Sequence, residues 1–322
     1  MKRFLLLGLA LVLLGSALFA DDAKVMPTRV GRLYLAPSYI FFDKAFDDDG
    51  DREDAISTKM FNLGAALEYG ITSWITAAVQ WTPGINLWSE VDMPLPGSAY
   101  IKDMGDLFVG AKLQIVGEQA PLRSSALRLA FAPGAKIPLP GPDFEKEVQN
   151  MMTGGDVTVA ALDKHVLGVG LRSYLDCVLN EYFFINLYNE LIFHPFKGDL
   201  RNNNIYLGAA QLGVSGDVDV EYGLDMTFEL EPVFSTSIAQ GIVFTGGLPV
   251  NYQTSPGIKI DHPAFPDLER SHLLTLRPGA SIFFMNWALP LEFKASYFLP
   301  LWGQNSPVNN VINFQVRAYF RI

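Results

Sequence analysis

Apolar and polar residues alternate along most of the chain beyond its first twenty positions, with a period of two. The last run is the clearest. Phe314, Val316, Ala318, Phe320 and Ile322 share one face, while Asn313, Gln315, Arg317, Tyr319 and Arg321 share the other. Successive side chains of a strand point to opposite sides of the sheet, so such a run predicts a strand between two different environments. Eleven earlier segments repeat the pattern, with apolar faces over residues 33–41, 61–69, 75–81, 107–115, 127–133, 167–175, 183–191, 212–222, 228–234, 274–282 and 289–297.

None of these faces carries Asp, Glu, Lys or Arg. The opposite faces hold Arg32, Glu68, Asp106, Lys112, Arg128, Arg172, Asp176, Glu190, Asp217, Asp219, Glu221, Glu229, Glu231, Arg277, Glu292, Lys294, Arg317 and Arg321. A charge on the lipid face of a membrane barrel costs about 2–4 kcal/mol near the midplane, so a spanning barrel must exclude charges in this way.

The connections alternate too. Short ones fall near residues 70–73, 117–124, 178–181, 223–226 and 285–287, and long ones at 43–58, 88–104, 139–163, 194–204, 235–271 and 300–308. This predicts an all-β fold, a transmembrane antiparallel up-and-down barrel of about twelve strands. Short turns and both termini would lie on the periplasmic side, with long loops outside. The competing architecture is a periplasmic sandwich of two packed sheets with the apolar faces inward. Glu68-Tyr69-Gly70 and Glu221-Tyr222-Gly223 read as matching hairpin turns, with glycine supplying a positive φ. Pro133-Gly134 and Pro278-Gly279, inside strands, predict bulges or bends.

The first residues change the compartment. Lys2 and Arg3, an apolar stretch over 4–19 and Ala20 before Asp21-Asp22 predict a signal peptide at residues 1–20 and a mature barrel over 21–322. The stretch is short for a spanning helix, which needs about 20 apolar residues, and no second run follows. The 24 basic residues fall to 22 without Lys2 and Arg3, against 34 acidic ones. That balance excludes nucleic-acid binding, which wants a basic face. A single cysteine, Cys177, leaves no disulfide framework.

Candidate chemistry is sparse. Asp47, Asp49, Asp51 and Glu53 form an oxygen-rich loop that is a weak candidate for a calcium site; a solvated, negatively charged external loop is the preferred reading, and no metal is expected. His165, His194, His262 and His272 have no nucleophile at an identifying spacing, which places an outer-membrane hydrolase behind other readings. The expected pore lining is Arg32, Glu68, Asp106, Lys112, Arg128, Arg172, Glu190, Asp219, Glu221, Glu229, Arg277, Glu292, Lys294 and Arg317. Acidic residues at 217–231 facing Arg172, Arg277, Arg317 and Arg321 would set a transverse field across an open lumen. The alternative is an interior that neutralises itself.

Gly105-Asp106-Leu107-Phe108-Val109-Gly110-Ala111-Lys112-Leu113, followed by Ala135-Lys136-Ile137-Pro138, resembles the outer-membrane transporters of hydrophobic compounds. These are the long-chain fatty-acid transporter group and the phenol meta-degradation-type barrels. Leu276-Arg277-Pro278-Gly279 and Leu299-Pro300-Leu301 are similar to the same pattern. The resemblance implies passage of small, rather apolar molecules across the outer membrane. The chain departs from the fatty-acid group in having twelve expected strands rather than fourteen, and a lead before the first strand too short for a plug domain. The expected function is therefore a channel or uptake protein without a cofactor, whose partners are the lipid bilayer, the barrel-insertion machinery and a small-molecule solute. The alternative is a structural or adhesin-like barrel with a closed lumen.

Overall fold

The computed structural model describes residues 22–92, 97–102, 104–159, 164–203, 205–211, 217–263 and 267–321. The expected signal peptide lies outside them. Twelve antiparallel strands form the barrel: β1 (Val30–Phe46), β2 (Arg52–Thr72), β3 (Ile75–Val91), β4 (Leu107–Gly117), β5 (Leu127–Ile137), β6 (Gly168–Val178), β7 (Phe183–Phe193), β8 (Asp225–Ala239), β9 (Ile242–Gly247 and Val250–Ser255), β10 (Ser271–Leu276 and Gly279–Phe284), β11 (Leu291–Gln304) and β12 (Asn310–Arg321). Each pairs with its sequence neighbours. The terminal strand returns to the first through Gly31↔Phe320, Leu35↔Val316 and Ile40↔Val311, which closes the ring.

Burial is inverted relative to a soluble domain. Leu35, Leu67, Val79, Leu187, Phe228, Leu230 and Phe314 are exposed on the outer wall, whereas Arg32, Glu68, Arg172, Glu190, Glu229 and Arg277 are buried inside it. An apolar belt outside and a polar interior is the arrangement a bilayer imposes on a closed sheet. The two-sheet sandwich is thereby excluded.

One end of the barrel carries the tight turns, at 73–74, 118–126, 179–182, 240–241 and 285–290, together with both ends of the described chain. The other end carries the longer connections. The wall is uneven: β2 runs for 21 residues, β4 to β7 for 11 each. The loops expected at 43–58 and 300–308 are mostly strand, because β1 and β2 stay paired up to Phe46↔Arg52.

Two strand assignments differ from the pattern. The segment expected at 212–222 lies partly outside the described residues, and its described part is not a barrel strand: Asp219–Tyr222 pairs with Gly198–Asp199 and Ile258–Ile260 in a separate three-stranded sheet. Val218, Val220 and Tyr222 are buried there while Asp219 and Glu221 face solvent. Period two reports a two-faced strand, not whether its apolar face meets lipid or a protein core. Conversely β9 lies inside the expected long loop at 235–271. Gly246-Gly247, Pro249 and an inner face without charges hide its alternation. The true turn is at Gly241, which has a φ of +73°; Gly223 sits at the opposite end.

The long connections fold into a cap. It contains the three-stranded sheet, a parallel pair of Ala99–Ile101 with Val157–Val159, and helices α1 (Phe144–Met152) and α2 (Ile205–Gln211). Asp143 caps α1 by accepting from Lys146 N at 3.3 Å. Phe144, Val157, Val159, Leu200, Val220 and Ile258 share one buried cluster with Ile40, Phe42, Met60, Phe298 and Val311 of the barrel wall. The cap's core therefore continues into the loop end of the lumen.

Candidate functional site

Between cap and turn end the inner wall is a set of buried ion pairs. Glu68 accepts from Arg32 Nε at 3.0 Å and from Gln80 at 3.1 Å, and Gln80 Oε1 accepts from Arg172 Nη1 at 2.5 Å. Arg172 also pairs with Glu190, which accepts from Tyr188 at 3.1 Å. The Arg172 guanidinium lies 3.6 Å from the Phe108 ring centroid, so the network crosses in front of β4. Glu229 accepts from Asn251 at 2.9 Å and faces Arg277 at 3.5 Å; Arg277 in turn lies over Phe298. Glu292 accepts from Arg317 at 3.3 Å and from Tyr319 at 2.8 Å. Lys136 pairs with Asp106, and Arg128 with Asp176, each at 3.3 Å. Buried charges require such partners, since removing one leaves the other uncompensated.

Of the residues expected to line a pore, Arg32, Glu68, Asp106, Lys112, Arg128, Arg172, Glu190, Glu229, Arg277, Glu292, Lys294 and Arg317 stand on the inner side of the wall. Asp219 and Glu221 do not; they pair with Lys197 on the cap, as Asp217 does with Arg201. The acidic wall thus loses three of its members, and Glu229 is matched locally by Arg277. The opposed-wall field is replaced by short-range neutralisation.

The segment before β1 was the least legible part of the site. Residues 22–27 enter the turn end of the lumen as an extended strap. Ala23 N donates to both oxygens of Asp176 at 3.2 Å, and Ala23 O accepts from Gln114 at 3.0 Å. Lys112 Nζ donates to Asp22 O at 2.9 Å, and Met26 N donates to Thr76 Oγ1 at 2.8 Å. Ala23 is fully buried beside Ala130, Ala132, Tyr174 and Tyr188. Gly70, expected as a turn residue with positive φ, instead makes room for the strap: a Cβ there would strike the carbonyls of Met26 and Pro27.

Beside the strap lies a cavity of about 610 Å³ with a mixed lining: apolar groups such as Met26, Phe108, Val233 and Phe283 alternate with charged ones, among them Arg32, Glu68, Glu231, Lys294 and Arg317. A second, apolar recess of about 800 Å³ lies against the outer wall, between Phe183, Phe234, Phe244 and Tyr297. Val233, Gly247, Gly279 and Ala280 border both. Here the sheet is irregular. β9 breaks at Leu248-Pro249 and β10 at Arg277-Pro278, and Pro232 lies next to them on β8. Proline lacks the ladder donor. The gap is bridged by Leu248 N to Pro232 O (3.3 Å), Arg277 N to Pro249 O (2.8 Å) and Tyr297 N to Pro278 O (3.0 Å). The bend expected at Pro278-Gly279 is this break, whereas β5 runs unbroken through Pro133-Gly134.

The other candidates resolve differently. Asp47 Oδ1 accepts from Asp49 N at 3.0 Å and Asp51 N at 2.8 Å, so the acidic loop spends its key carboxylate on its own turn. Among the described residues no group of three or more His, Cys, Asp or Glu is placed to hold a metal. His194 joins Asp225 at 2.8 Å rather than a nucleophile, and His272 meets Tyr252 at 2.7 Å.

No family model matches the chain, and no curated protein matches it by sequence. An outer membrane channel from Pseudomonas putida F1 superposes with a TM-score of 0.65 at 14% identity, covering 94% of this chain and all 100% of that one. The β domain of the Bordetella autotransporter BrkA gives 0.48 at 11% identity, with 90% and 100% covered. The Ralstonia pickettii toluene transporter TbuX gives 0.41 at 8% identity, with 92% and 90% covered. The first establishes a shared fold, that of an outer-membrane barrel.

Proposed function

We propose that this barrel passes small, uncharged, apolar molecules across the outer membrane, exchanging them between its internal cavity and the bilayer through the side of the wall. The observation that carries this reading is the meeting of the 610 Å³ cavity and the 800 Å³ outer recess across Gly247, Gly279 and their neighbours. The axial alternatives are poorer. A packed apolar core fills the loop end, the strap narrows the turn end, and the paired charges between them offer a dissolved ion little. In this reading residues 1–20 are the export signal, the insertion machinery assembles the barrel from residue 21 onward, and the turns and termini face the periplasm.

A closed, structural barrel would need the same cap. It would not need three prolines and paired glycines at one level of the wall, so that feature favours transport. The test is uptake of 1-N-phenylnaphthylamine by intact cells whose lipopolysaccharide otherwise excludes it. Cells carrying the barrel should take up the dye several-fold faster than cells without it. Liposomes carrying the barrel should swell slowly in small sugars. Rapid sugar passage without dye uptake would replace this reading with an aqueous pore.

A further inference from the structure

The irregular stretch of the wall is not bare on its inner side. Gly247 and Gly279 are directly opposed in the β9–β10 ladder, giving two adjacent positions without side chains. A Cβ added at Gly247 would fall on a carboxylate oxygen of Glu231, with the Glu231 Cδ and Cγ only 3.1 and 3.4 Å away. Glu231 belongs to β8, and with Lys294 of β11 it borders both the main cavity and a small inner pocket beside Gly279. Ser296 borders that inner pocket and also the outer recess. Its Oγ is buried with no hydrogen-bond partner among the described residues.

We infer that Glu231 is the gate residue of the lateral route, its side chain occupying the space over Gly247 that a passing molecule must use. This rests on the lateral reading above. A side chain turns between rotamers far faster than strands part, so the wall opens first by removing this one side chain from the glycine patch. The gate also bears on which cargo passes. Glu231 and Lys294 are of opposite sign, and Glu229 is already paired with Arg277 at 3.5 Å. The inner mouth therefore carries no net charge, and an ion leaving bulk water would gain nothing there to offset its desolvation. The class that fits is an apolar molecule with an uncharged polar group, able to meet the Ser296 hydroxyl in passing.

The experiment compares uptake of 1-N-phenylnaphthylamine with that of its sulfonated relative 8-anilinonaphthalene-1-sulfonate. It uses intact cells carrying equal amounts of heat-modifiable barrel. Glu231→Ala should take up the neutral dye several-fold faster than wild type. Glu231→Gln, which keeps the bulk, should stay close to wild type, and the sulfonate should remain excluded by wild type. Ala295→Trp, which fills the outer recess and leaves the inner side untouched, should abolish uptake. Wild-type rates in Glu231→Ala alongside loss in Ala295→Trp would overturn the gate and leave the lateral route standing. A Glu231→Gln as fast as Glu231→Ala would overturn the steric role. Rapid entry of the sulfonate would overturn the cargo class, and unchanged uptake in Ala295→Trp would overturn the lateral route itself.

Discussion

His194 stands just past the end of β7, buried, with Nε2 2.8 Å from Asp225 and 3.5 Å from Lys164 Nζ, which itself reaches Asp225 at 2.6 Å. Its Nδ1 is buried without a partner among the described residues. Burial lowers the His194 pKa below its ordinary 6.5, and the Asp225 bond only partly opposes this. A depressed histidine takes its proton later than the unfolded chain does. Stability therefore falls as the pH drops below 6.5, and the loss is complete once the folded pKa has been passed. Acidification from about pH 7.5 to about pH 5 should increase amide exchange where the cap joins β6 and β7. His194→Gln, which can still bond Asp225, should flatten that dependence. At this scale alternation in the sequence sorted side chains into inner and outer sets well: Arg32 and Glu68 were placed correctly from parity alone. Who pairs with whom was not legible, because Arg172 reaches Gln80 across two intervening strands.

The elements show where a period of two stops being informative. Asp219–Tyr222 and β12 alternate equally well, yet one packs onto a cap and the other closes a barrel. β9 alternates poorly because its glycines, Pro249 and uncharged inner residues serve the irregular wall rather than a regular ladder. The twelve-strand fold survived because one false strand and one missed strand offset each other in the count. The cap shares one core with the barrel wall, and the centre of that core can be tested. Leu200 is fully buried in the shared core, and Leu200→Ala should cost about 2–5 kcal/mol of local stability. The expected outcome is protease cleavage within the cap on intact cells while the barrel band itself persists. Cleavage no faster than in wild type would mean that the cap does not depend on that core.

On the scale of the whole molecule, the two ends differ. The loop end is filled by a core of apolar side chains, whereas at the turn end the extended strap lines a cavity that also reaches Met285 and Pro290 of the last turn. Deleting residues 22–27 should raise ion conductance in planar bilayers several-fold with strand content unchanged; unaltered conductance would show that the strap does not limit the opening. The strap is held largely through its amides and carbonyls: Ala23 N and O, Asp22 O, Lys24 O and Met26 N are the bonded atoms. A grip on the peptide unit is blind to what the peptide spells. The exposed side chains of that stretch can drift without loosening it, with the buried Ala23 and Met26 the crowded exceptions and proline excluded wherever a bonded amide is needed. A segment held in this way can keep its place while its spelling changes, and so would say little in a comparison of sequences.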